Sequence, residues 1–137
     1  MKFFLFIILL FTGACSVPIL ESPECVESRG LVREFYSFHF GNDMHFSIQN
    51  LNARRRFLSP KFASSLENAN TEDDVFTVNS LDLPRAFRVG ECEVVGPDRT
   101  TFQVLFFWRD KNRTEQRSIR VSAARIDGAW LIDGIEN

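Results

Sequence analysis

The chain has 137 residues, enough for one domain and not two. Sixteen basic residues face eighteen acidic ones, a net charge of −2 that argues against general nucleic-acid binding, which needs a strongly basic surface. Fifteen phenylalanines and two tryptophans supply ample material for a packed core.

The first stretch is not domain material. Lys2 precedes an unbroken apolar run, Phe3 to Phe11. That run is far shorter than the ~20 residues a helix needs to cross a bilayer. The small residues Thr12-Gly13-Ala14 follow, completing the layout of a cleaved signal peptide over residues 1–14. Two processing routes are open. Thr12-Gly13-Ala14-Cys15 resembles a bacterial lipobox, which makes Cys15 a lipidation site, although Thr12 stands where Leu is usual. Ordinary signal peptidase could instead cut after Ala14 or Ser16. The protein is therefore expected in the bacterial cell envelope, on the periplasmic side of a membrane through a lipid anchor, or secreted.

Three cysteines are present. With Cys15 lipidated, Cys25 and Cys92 are left as an even pair that could form a disulfide in an oxidising compartment. Two separate buried thiols are the alternative.

Residues 15–22 read as a tether and 23–137 as the domain. Ser22-Pro23 carries the N-cap and first-turn signals of a helix. Leu31, Phe35 and Phe38 form its expected apolar stripe, and Gly41-Asn42 its stop. Ser47 caps a second helix to about Phe57. Ser59-Pro60 opens a third to about Asn70, and Glu72, Asp73 and Asp74 lie in a polar break. From Ala86 the period changes to two. Phe87 and Val89, then Cys92 and Val94, alternate with an offset that suggests a bulge near Gly90. Phe102, Val104, Phe106 and Trp108 mark one face of a long strand, with Leu105 and Phe107 on the other. Ile119, Val121 and Ala123 mark the next strand. Asp127-Gly128 is a hairpin turn before Trp130 to Ile135. The order predicts an α+β domain, with N-terminal helices packed on a curved, roughly four-stranded antiparallel sheet.

Three segments carry a resemblance: VREFYSFHF (32–40), ARRRFLSPKF (53–62) and ARIDGAWLIDGIEN (124–137). With the helices-then-meander order, they resemble the nuclear-transport-factor-2-like, or cystatin-like, superfamily. More narrowly, they look like a family of small exported bacterial proteins of unknown function. The resemblance implies a cone with a pocket at its open end, and it implies homodimers formed through the outer sheet face. Its members include isomerases, dehydratases, cyclases and plain binding modules, so fold alone does not settle activity.

The chemistry-bearing residues are few. The isomerase-like members pair a carboxylate base with a tyrosine or a protonated acid. Tyr36 is the chain's one tyrosine, and Glu91, Glu93 and Asp133 are candidate acids on strands. His39 and His45, six apart around Asp43, do not make the three- or four-ligand set of a metal site, so no metal or cofactor is expected. Arg54, Arg55 and Arg56 diverge by ~100° per residue. One must turn toward the core rim or an acid, and Arg55 is the candidate for a cavity mouth. Glu72, Asp73 and Asp74 lack calcium-loop spacing and read as solvated. Tyr36, His39, Arg55 and Trp108 are thus the candidate pocket residues, and no catalytic set is assigned. The expected role is a non-catalytic envelope binding or accessory domain that takes a small ligand or an envelope protein. The alternatives are a small isomerase or hydratase using Tyr36 and a strand carboxylate, and an inhibitor or immunity-type interaction protein.

Overall fold

The computed structural model describes residues 20–137. The expected leader, Cys15 and most of the expected tether lie outside them. Three helices come first: α1 (Pro23–Phe40), α2 (Ile48–Arg54) and α3 (Pro60–Leu66), with a 3₁₀ turn (Arg55–Phe57) between the last two. Four strands follow: β1 (Ala86–Gly96), β2 (Arg99–Arg109), β3 (Thr114–Ile126) and β4 (Ala129–Glu136). They form one antiparallel sheet in the order β1-β2-β3-β4. The fold is α+β, with the helices on one face. No helix among the described residues is long and apolar enough to cross a membrane.

The local reasons are legible. Ser22, Ser47 and Ser59 cap the three helices by accepting from the backbone N–H of Cys25, Asn50 and Phe62, each such cap contributing about 1 kcal/mol. Pro23 and Pro60 occupy first-turn positions where no N–H is missed. The buried stripe of α1 is Val32, Phe35, Tyr36 and His39. The expected stripe of Leu31, Phe35 and Phe38 is therefore rotated, since Leu31 and Phe38 are only partly buried. α2 ends at Arg54 and α3 at Leu66, both short of the predicted ends. After α3 the chain turns instead into a long irregular segment.

The sheet's inner face is Phe102, Val104, Phe106 and Trp108 on β2, with Ile119, Val121 and Ala123 on β3, all at most 2% exposed. The β1–β2 register slips between Val89 and Cys92. Gly90 lies in that bulge, where a Cβ would meet Leu105 Cδ1 at 2.9 Å and the Gln103 carbonyl at 3.0 Å. Asp127 and Gly128 both have positive φ (51° and 82°), as a tight two-residue hairpin turn requires. Cys25 on α1 is joined to Cys92 on β1 by a disulfide, with Cα atoms 5.9 Å apart.

Candidate functional site

The helix end of the core holds a polar cluster buried among aromatics. His39 sits in the last turn of α1 and stacks on Phe35, with ring centroids 5.7 Å apart. Arg54, the last residue of α2, is 1% exposed. It donates from Nε to His39 Nδ1 (2.7 Å), from one terminal nitrogen to the Asn50 carbonyl (2.9 Å) and from the other to the Asp43 carbonyl (2.7 Å). A guanidinium only donates. His39 Nδ1 is therefore the acceptor and Nε2 carries the hydrogen, which goes to Asp74 Oδ2 at 2.9 Å. The same oxygen accepts from Thr77 Oγ1, and Oδ1 accepts from the Phe76 N–H, both at 2.9 Å. The carbonyl of the same Phe76 accepts from the Tyr36 hydroxyl at 2.8 Å.

Burial governs the titration of these groups. It lowers the His39 pKa, opposed in part by the Asp74 hydrogen bond and charge. It raises the Tyr36 phenol well above its usual value, and the Asp74 charge adds to the rise. It lowers Arg54, against the attraction of Asp74 and Asp43. Asp43 itself lies at the surface, held down to about 2 by the His45 N–H, the Asn50 amide and the His45 ring. This cluster links α1, α2 and the irregular segment into one unit through hydrogen bonds among its side chains and to backbone.

The candidate pocket residues do not form one pocket. Tyr36 and His39 belong to the buried cluster. Arg55 is exposed and pairs with Glu67, so the arginine that turns inward is Arg54. Helical phase decides this: Arg54 continues the inward line of Leu51, and Arg55 points about 100° away. Trp108 packs on the inner sheet face and donates from its indole to the Asp82 carbonyl at 3.0 Å. The strand acids lie apart from Tyr36. Asp133 accepts from Ser59 Oγ (2.7 Å) and from Arg99 (3.1 Å). Glu91 and Glu93 are exposed along an outer groove with Arg120.

Asp74 corrects the reading of its segment. Glu72 is exposed, but Asp74 is completely buried. The signal was the run that follows, Val75-Phe76-Thr77-Val78, which is too apolar for a solvated loop. The i, i+3, i+4, i+7 spacing of Val32, Phe35, Tyr36 and His39 was the matching signal for a buried imidazole that needs partners.

A second feature lies on the opposite sheet face. A cavity of about 410 Å³ is lined by Ala86, Phe107 and Arg109 with Thr114, and it also touches Arg85, Trp108 and Glu115. Glu21, Cys25 and Cys92 lie close together, but both cysteines are in the disulfide and offer no thiolate to a metal.

No protein-family model matches the chain, and no curated protein matches it. Among solved structures it is similar to a protein of unknown function from Bacteroides thetaiotaomicron. That similarity has a TM-score of 0.57 at 18% identity and covers 82% of this chain and 92% of that one. At that identity the likeness shows the α+β fold alone.

Proposed function

We propose that this is a non-catalytic binding or accessory domain of the bacterial envelope, with a nuclear-transport-factor-2-like fold, carried to a membrane by its leader and anchored through lipid on Cys15. The observation that supports binding over chemistry is the internal commitment of the buried polar groups. Tyr36, His39, Arg54 and Asp74 are each at most 1% exposed, and their hydrogen bonds run to one another, to the buried Thr77 hydroxyl or to backbone. A general acid or base must come within hydrogen-bond reach of its substrate. The strand carboxylates that could reach solvent share no cavity with Tyr36. The helices-before-meander order and the closing Asp127-Gly128-x-Trp130-x-Ile132 pattern support the superfamily.

Two measurements test this reading. The intact mass of protein from a membrane fraction should begin at Cys15 and carry acyl chains, and an unacylated mass would remove the anchor. A thermal-shift screen of the purified protein against small molecules should find stabilising ligands. A flat response would shift the role toward a protein partner.

A further inference from the structure

The outer sheet face combines an apolar floor with positive charge that no acid balances. Ala86 faces Phe107 across the β1–β2 pair, and Arg109 faces Thr114 across the β2–β3 pair. These residues wall the cavity of about 410 Å³. Phe107 is half-buried, so part of its surface is open to whatever enters. Arg85 and Arg109 line the same space, are exposed, and form no ion pair among the described residues. Arg88 lies on the same face, two residues along β1 from Ala86 and opposite Leu105, and it also has no acidic partner there. The one carboxylate in the lining is Glu115. Arg117 bonds it, and Arg113 stands 3.7 Å away, so its charge is already matched.

A chain with a net charge of −2 thus sets two uncompensated guanidinium groups in one cavity beside a half-buried phenylalanine, with Arg88 further along the same face. Like charges repel, and a hydrophobic floor weakens the screening between them. An anion seated among them removes the repulsion. A guanidinium grips a carboxylate or sulfonate through two parallel hydrogen bonds, and an apolar body covers Phe107 and Ala86. A fully apolar ligand would leave the arginines unanswered. A compact inorganic anion would leave the floor uncovered.

We propose that this cavity binds a small organic anion with a flat apolar body, its anionic group held by Arg85 and Arg109 and its body laid on Phe107. This names a site and a ligand class for the binding role above, and it rests on that reading.

The probe is 8-anilinonaphthalene-1-sulfonate, compared with 1-anilinonaphthalene, which is the same ring system without the charge. The expected result is saturable fluorescence at one dye per chain, with the sulfonate binding at least tenfold tighter and weakening as salt rises. Arg85→Glu with Arg109→Glu should weaken the sulfonate at least tenfold. Phe107→Thr should weaken both dyes. The two arginines are exposed, so near-UV circular dichroism of the charge-reversed variant should match the parent, and the salt titration tests the idea on the unaltered protein. Equal affinity for the two dyes, no salt dependence, or an unchanged sulfonate affinity after charge reversal would overturn the assignment. If the dye fails while another small molecule still raises the melting temperature, this cavity is wrong and the binding role stands. If neither dye nor any library compound binds, this cavity and small-ligand binding both fail, and the role passes to a protein partner.

Discussion

Arg54 and Asp74 share no direct hydrogen bond or ion pair, yet they are joined through one imidazole: Arg54 Nε donates to His39 Nδ1, and His39 Nε2 donates to Asp74. A cation and an anion buried without direct contact share a neutral relay, and that geometry fixes its tautomer. Protonating Nδ1 would break the Arg54 bond and bring a second cation against the guanidinium. This agrees with the lowered His39 pKa, whose largest cause is burial. In the unfolded chain His39 takes its proton near pH 6.5, and in the folded protein only below that. The stabilising contribution is therefore complete above about pH 6.5 and is lost as pH falls through the window beneath it. Urea unfolding from pH 7.5 to 5 should show stability falling by up to about 1.4 kcal/mol per pH unit from this one group. His39→Gln keeps one acceptor and one donor but does not titrate, so it should flatten that slope. An unchanged slope would mean that His39 is not the group responsible.

The same relay predicts coupling at a distance. Removing one member of a buried ion pair costs about 3–5 kcal/mol, because the other charge is left uncompensated. Arg54→Met and Asp74→Asn should each destabilise on that scale, and the double variant by clearly less than the sum. Strict additivity in a double-mutant cycle by urea unfolding would show that the imidazole does not connect them.

These residues also mark where the sequence stopped being informative. Serine caps, prolines at first-turn positions, the period-two strands and the Asp127-Gly128 turn are local signals, and each reads directly from its neighbours. The bulge at Gly90 was visible because it shifts the apolar alternation between Val89 and Cys92. The relay is different in kind. It joins residues 15 and 35 positions apart, and no local pattern links them. Arg54 and Arg55 look alike in the sequence, and only the phase of a seven-residue helix that ends at Arg54 separates the buried one from the exposed one. The cavity around Phe107 depends on which strands pair and in what register, so its arginines were scattered in the sequence.

The Cys25–Cys92 bridge ties the first turn of α1 to the strand just after the bulge, across 67 residues of chain. In the chain-entropy model a closed loop of that length contributes about 4 kcal/mol, chiefly by restricting the unfolded chain. Cys25→Ala with Cys92→Ala should lower the urea midpoint accordingly and steepen the transition, because the unbridged unfolded chain exposes more surface. Hydrogen exchange should quicken first in residues 23–28, the end of α1 that the bridge holds. If reduction and alkylation leave the unfolding curve unmoved, the bridge makes no such contribution.

Tyr36 offers a reading free of interference, since it is the single tyrosine of the chain. Its hydroxyl donates to the Phe76 carbonyl inside the core, and burial, with the Asp74 charge, holds its pKa well above 10. The unfolded chain loses that proton near pH 10 while the folded protein keeps it. Stability from this group is thus full below about pH 10 and declines as pH rises beyond it. Tyrosinate absorbance at 295 nm should stay flat past pH 10 and rise only together with loss of near-UV circular dichroism. Tyr36→Phe leaves the Phe76 carbonyl without its donor and should cost about 1–3 kcal/mol, the usual penalty for stranding a buried polar group. A tyrosine that instead ionised near pH 10 with the fold intact would be open to solvent. The acid–base role weighed for Tyr36 with a strand carboxylate would then have the access that the buried hydroxyl lacks.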